Sequence, residues 1–334
     1  MMQHMPALPF NRIQRGPRST LGRVARLLIC LVCLSISLPY AAPAQTIAPA
    51  PLPPAAQQAL DKGIIAAKVP DYPLAIRFFE EARKLAPQAP VVFLNLGIAE
   101  SKMPSRELRA IAWFGAYLAA LPEAPNAAAV RQQIDVLDVK SRSNLLRFIK
   151  VAQDAADQIS EDTRLPTMGR DKQHILYQVS KLWASAGETA RAQKTAGLIQ
   201  SENWKSNALA VIARAQIEAA GMAGASQTAL RIQDKDQRSG MQKAIVEAAA
   251  KTRPADRSVV KASDWLEKLG ITTRPIIIWS LNTDLFLDLD GYLKSLPPPS
   301  KSVHAHFWAL QDTATKIAQA QSEIDGMLKA QFGK

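Results

Sequence analysis

Apolar residues recur along this chain at helical rather than strand spacing. Phe307, Leu310, Ala314, Ile317, Gln321, Ile324 and Leu328 follow one another in alternating steps of 3 and 4 residues. That rhythm keeps one helix face apolar and predicts an amphipathic helix of about 28 residues, interrupted once by the polar Gln321. Leu145, Phe148, Ile149, Ala152, Ala155, Ala156 and Ile159 form another such face, so Asn144–Ile159 is expected to be helical, after a shorter helix from Ala127 to about Val139. Nearer the N-terminus, Gly63, Ala75, Phe79, Ala82 and Pro87 lie 12, 4, 3 and 5 residues apart. This predicts two helices, Ala56–Lys68 and Tyr72–Leu85. Small residues let antiparallel helices approach, an aromatic ring fills the space beside them, and the proline ends the second helix.

The pattern then returns. Phe93, Leu96 and Gly97 repeat the first-helix positions, with Gly97 in the place of Gly63. Ala110, Phe114 and Pro122 fit the second helix if the turn is one residue longer, with Tyr117 replacing the third small residue. Another periodicity runs from Asp171 to Arg253. Ala186-Gly187 recurs as Ala220-Gly221. At an interval shorter by one position, Ile199-Gln200 recurs as Ile232-Gln233, and Leu176 and Val179 recur as Leu209 and Ile212. Helices are expected at His174–Ala186, Glu188–Ile199, Lys205–Ala219, Gly224–Ile232 and Arg238–Lys251. An Ala-rich bundle of similar helices would give a similar pattern. Beyond Pro254 the pattern breaks. Ser263–Gly270 predicts a short helix capped by Ser263 or Asp264. Pro275–Leu281 suits either a buried strand or a short helix, Asp284–Leu296 predicts a short helix, and Pro297-Pro298-Pro299 is a firm break.

The spacing over Ala56–Pro122 resembles the tetratricopeptide repeat, a helix–turn–helix of about 34 residues, and Asp171–Arg253 resembles it more distantly. The resemblance implies an all-α fold of antiparallel helix–turn–helix repeats in a right-handed superhelix. Residues 56–140 would form the tetratricopeptide domain, 141–253 a second helical array and 254–334 a C-terminal helical region. It also implies a concave groove lined by the first helix of each unit. Those positions are Gln57, Leu60, Ile64 and Ala67, then Val91, Leu94, Ile98 and Ser101, with Lys68 and Lys102 equivalent at the edge. Ile64 and Ile98 stand where some members place the Asn of a carboxylate clamp, so an amphipathic helix or apolar peptide is the expected occupant. The chain's own terminal helix or a neighbouring repeat is the alternative occupant.

The N-terminus changes the setting. Arg12, Arg15, Arg18, Arg23 and Arg26 precede an apolar run, Leu27–Leu38, and Ala42-Pro43-Ala44 offers a small-residue cleavage site. This order predicts a signal peptide over residues 1–44, with a periplasmic or extracellular protein after cleavage near Ala44. An uncleaved anchor is the alternative, although the apolar run is shorter than the roughly 20 residues that span a bilayer. Residues 45–55, rich in Pro and Ala, are expected to be a linker. Both cysteines, Cys30 and Cys33, lie in the leader, so the mature chain would form no disulfide. The formal charge would fall from +12 to +7, because five arginines and no carboxylate leave. Such an excess favours anionic envelope surfaces, while nucleic acid does not suit an exported chain without a basic, aromatic-studded segment.

Candidate chemistry is sparse. His304 and His306 form H-x-H beside Trp308, but on a helix residues two apart diverge, and a solvated helix start is expected there. His174 stands alone at a helix start. Asp288, Asp290 and Gly291, with Asp284 upstream, match only part of a calcium loop, with Pro297 where its bidentate Glu belongs. Ser258-Val259-Val260-Lys261 lacks the companion strings of penicillin-binding enzymes. The six tryptophans are expected in core or turn packing. No catalytic residue, metal or cofactor is therefore expected. The expected function is a non-catalytic exported scaffold that binds a protein or peptide. The alternatives are an envelope- or membrane-associated factor docking by its basic surface or terminal helix, and an α-helical enzyme.

Overall fold

Helix starts are written locally in this chain. Asp71, Asp171 and Asp234 each accept a hydrogen bond from the backbone N–H three residues on, at 3.1, 2.8 and 2.8 Å. Pro54, Pro73 and Pro90 occupy first-turn positions, where no intrahelical donor is lost. The computed structural model describes residues 51–160, 171–251, 260–268 and 303–333, all within the unit Pro49–Lys334. Among them are twelve helices and no strand, so the protein is all-α. The expected leader, the helix expected at Asp284–Leu296 with its partial calcium loop, Pro275–Leu281 and the Pro297–Pro299 break lie outside the described residues.

The first four helices are α1 (Pro54–Lys68), α2 (Tyr72–Leu85), α3 (Pro90–Ser101) and α4 (Glu107–Ala120). Helix α1 takes in Pro54 and Ala55, expected in the linker, because proline suits a first helical turn. The α1/α2 and α3/α4 hairpins close where side chains are absent. A Cβ on Gly63 would lie 2.3 Å from the Phe79 ring, and one on Gly97 2.6 Å from Phe114. Phe114 follows Gly97 by one position more than Phe79 follows Gly63, so one residue is inserted between the matched positions, and the α3/α4 turn spans five residues against three in α1/α2.

Next come α5 (Ala127–Asp157), α6 (Lys172–Ser185), α7 (Thr189–Gly197), α8 (Glu202–Glu218), α9 (Met222–Leu230) and α10 (Lys235–Ala250). The expected helices at 127–139 and 144–159 are one continuous helix, because Lys140–Ser143 contains neither Gly nor Pro. The α6/α7 and α8/α9 hairpins are related by the shorter interval, the one that carries Leu176 to Leu209. Ala192, Thr195, Ala196 and Ile199 are buried, and so, at that interval, are Ala225, Thr228, Ala229 and Ile232. Gln173 Oε1 accepts from Ser201 N–H at 3.2 Å. At the matching positions of the next hairpin, Ser206 Oγ accepts from Asp234 N–H at 3.4 Å.

The Ala-Gly recurrence, one position longer, is therefore not the structural register. Gly187, at φ +79°, is matched by Ala220, at φ +58°, and the residues following them donate to equivalent carbonyls of Trp183 and Gln216. Alanine in this left-handed turn is strained, whereas glycine is not. Ala220→Gly is expected to stabilise the protein by roughly 0.5 kcal/mol and Gly187→Ala to destabilise it by about 1 kcal/mol. Urea unfolding of the two variants measures both signs.

The last helices are α11 (Ala262–Lys268) and α12 (Val303–Phe332). Helix α11 begins one residue before Ser263, so neither proposed cap is a cap. The Asp264 carboxylate instead accepts from Lys261 N–H at 2.8 Å. Trp265 plugs α11 onto α4, with its ring against Gly115 and its Nε1–H donating to Gln331 Oε1 at 2.6 Å. Helix α12 runs antiparallel to α5 and packs on α4, α5 and α6. Its first half, from Phe307 to Ala318, closes the core shared with α5–α8, and its second half, from Ala320 to Leu328, closes the core of α1–α4.

Between the halves is a polar seam. Ser141 pairs with Gln321, whose Nε2 donates to Asp138 at 2.7 Å, and Arg142 donates to Asp138 at 3.0 Å and Asp325 at 2.7 Å. Burial opposes the Arg142 charge, but its hydrogen bonds to Asp138 and Asp325 and their charges prevail, holding it above the usual arginine range.

Candidate binding face

Helix α3 carries the clearest anomaly in the first array. It is apolar at Val91, Val92, Phe93, Leu94, Leu96 and Ile98, and so has no polar side in the usual sense. A helix apolar all round belongs in an interior. Val92, Phe93 and Leu96 are indeed in the core, yet Val91 and Ile98 remain 39% and 43% exposed. Steps of 3 and 4 residues place Val91, Leu94, Ile98 and Ser101 on one face.

The α1 candidates sit at different depths. Leu60 is in the core, Ile64 and Ala67 are half-buried against it, and Gln57 is exposed. Lys68 and Lys102 are both exposed, at the C-terminal ends of α1 and α3. Several polar groups on these helices are engaged internally. Gln57 donates to Asp61 at 2.8 Å, Asn95 to the Val91 carbonyl at 2.8 Å, and Ser101 to the Ile98 carbonyl at 2.7 Å. What remains open is an apolar stripe with a lysine at the end of each helix. Helix α12 leaves Val91 and Ile98 uncovered.

A second constellation joins residues that the pattern keeps apart. His174 is not alone. Its ring stacks on Trp204 at 4.5 Å and lies 6.0 Å from Tyr177 and 5.6 Å from Trp308. Tyr177 and Trp204 are 5.3 Å apart. Three helices, α6, α8 and α12, bring their first two turns together there, and no local spacing signals that meeting. The expected solvated start at His304 and His306 is also corrected. His306 is only 8% exposed, because this end of α12 is packed against α5 and α6. Among the described residues no group of three or more His, Cys, Asp or Glu could hold a metal ion.

The chain matches no family model, no curated protein and no solved structure. Among the described residues no helix is long and apolar enough to cross a membrane.

Proposed function

We propose that this protein is an exported, non-catalytic, tetratricopeptide-like scaffold that captures an amphipathic helix or apolar peptide on the α1/α3 face. The observation that carries the reading is the exposure of Val91 and Ile98 on a helix with no polar side. A helix of that composition is stabilised by covering both sides, and the open one is suited to a partner's apolar residues. Lys68 and Lys102 would orient the partner through its carboxylates. The paired hairpins α1/α2 and α3/α4, with Gly63 and Gly97 under aromatic rings, support the tetratricopeptide-like reading. The basic, apolar and small segments before Gln45 support export. The alternative of membrane docking by α12 loses its main surface, since Phe307, Leu310, Ile324 and Leu328 are buried in the protein.

The test uses the two exposed positions. Ile64 is a poor choice because it packs against the core, and a charge there would harm the fold. Val91→Asp with Ile98→Asp is expected to leave the circular dichroism spectrum and melting temperature nearly unchanged. The same variant is expected to lose crosslinks from Lys68 and Lys102 to a partner in the native compartment. Crosslinks that persist in the variant would refute the groove.

A further inference from the structure

His174 places a titratable ring at the joint of α6, α8 and α12. It is the third residue of α6, and the Trp204 ring stacked on it belongs to the third residue of α8. His174 Nε2 lies 2.9 Å from Gln178 Nε2. An amide nitrogen only donates, so Nε2 is the acceptor and the ring is neutral, with its proton on Nδ1. Gln178 Oε1 in turn accepts from Gln311 Nε2 at 3.4 Å, and Gln311 Nε2 reaches Thr315 Oγ1 at 3.1 Å. A relay of two amides therefore runs from the imidazole on α6 to a hydroxyl on α12, the helix that closes both cores.

A proton on Nε2 reverses the first link. Two donors then face each other, and the Gln178 amide must turn its oxygen to the ring. Its nitrogen then meets the Gln311 nitrogen, so Gln311 must turn too or the tie between α6 and α12 is lost. Turning Gln311 costs the bond to Thr315, whose hydroxyl proton is committed to the Gln311 carbonyl at 2.8 Å. Two helix N-termini and the half-buried setting also oppose a cation at the ring.

The indole of Trp204 and the carboxylate of Asp171 favour the cation. Asp171 is exposed, hence screened, and is engaged by the His174 backbone N–H at 2.8 Å. The other charged groups at the joint are largely committed elsewhere. Lys172 donates to the Ala156 carbonyl and, at 2.8 Å, to that of Ile159, and Asp157 at the end of α5 accepts from Gln153 at 2.9 Å. Helix α8 brings Glu202 and Lys205, one of each sign. Helix α12 brings His304, His306 and Asp312, the last paired with Lys316 at 2.7 Å.

From this geometry we infer that His174 is a proton-operated joint, which ties the first turns of α12 to α6 when neutral and releases them when protonated. The released state binds the extra proton, so docking is complete above the titration range of histidine and weakens as the pH falls from about 7 to 5. None of the α1/α3 residues takes part, so the joint stands or falls separately from the scaffold reading.

Hydrogen exchange of residues 303–315 in the full chain, corrected for the intrinsic effect of pH on exchange, tests the joint. Protection is expected to fall about tenfold between pH 7.5 and 5.5. His174→Phe keeps a stacked ring that does not titrate, and its protection is expected to stay constant within about twofold. Gln178→Leu keeps the imidazole but cuts the relay, and it too is expected to lose the response, which a ring that merely packs does not predict. Protection in the unaltered protein that holds or rises on acidification would overturn the inference. So would a tenfold fall that persists in either variant, and Gln178→Leu alone decides the matter where His174→Phe does not fold.

Discussion

Ending the chain after Ser302 is expected to abolish the cooperative unfolding transition of the whole protein. Helix α12 is a wall of two cores at once. Phe307, Leu310 and Ala314 are fully buried in the core shared with α5–α8, and Ala320 and Ile324 in that of α1–α4. Loss of one large buried side chain costs about 2–5 kcal/mol, and a domain's whole stability is about 5–15 kcal/mol. Removing the helix deletes several such side chains together. It also leaves the seam residues Ser141, Asp138 and Arg142 without Gln321 and Asp325.

Far-UV circular dichroism during urea unfolding decides the matter. The shortened chain is expected to keep some helical signal, because the hairpins are local, but to lose it gradually with no sigmoidal step. Phe307→Ala gives the graded version, with an expected loss of about 3–5 kcal/mol and an intact sigmoid. A sharp transition in the shortened chain, with the slope of the full protein, would show that the two arrays fold without the α12 strut.

What the sequence reveals follows from the range of the interaction involved. The hairpins of the first array are legible because Gly63 and Phe79, or Gly97 and Phe114, meet within a single turn-linked pair. The start of α2 at Tyr72 is legible, but α6 and α10 begin two and three residues ahead of the expected His174 and Arg238, because Asp171 and Asp234 cap them where the apolar spacing is silent. The stretch Lys140–Ser143 misleads because polarity there resembles a break, yet Ser141 is buried and its hydroxyl is used against Gln321, 180 residues away. The seat of Trp265 on Gly115 and the meeting of His174, Trp204 and Trp308 are likewise long-range, and periodicity is silent about contacts of that kind. Ala220 misleads in another way. Its neighbour Gly221 mimics the Ala-Gly pair of the previous hairpin one residue out of step, and only the backbone angle reveals which residue turns the chain.

Replacing Arg109 by Leu is expected to cost about 3–5 kcal/mol, among the largest effects of any single substitution in the first array. Its partner Glu100 is 0% exposed and accepts from Arg109 Nε at 3.0 Å and Nη2 at 2.9 Å, and from Arg106 Nη1 at 3.0 Å. Arg109 is itself only 6% exposed. Neither charge can turn to water, so removing Arg109 leaves the buried Glu100 carboxylate with the Arg106 bond in place of three, and the loss exceeds the net value of the pair. Glu100→Leu should therefore cost a similar amount. The double variant should cost less than the sum by at least about 2 kcal/mol, since no buried charge of this pair then remains and Arg106, nearer the surface, can reach solvent.

A urea double-mutant cycle measures that coupling, and strict additivity would mean that the two residues act independently. The pair also bears on the binding face. Glu100 follows Ile98 by two residues, and its bonds to Arg109 fix α3 against α4, which sets the orientation in which Val91 and Ile98 are presented. If the proposed scaffold function is right, the double variant should keep the fold but weaken partner crosslinking at Lys102 more than at Lys68.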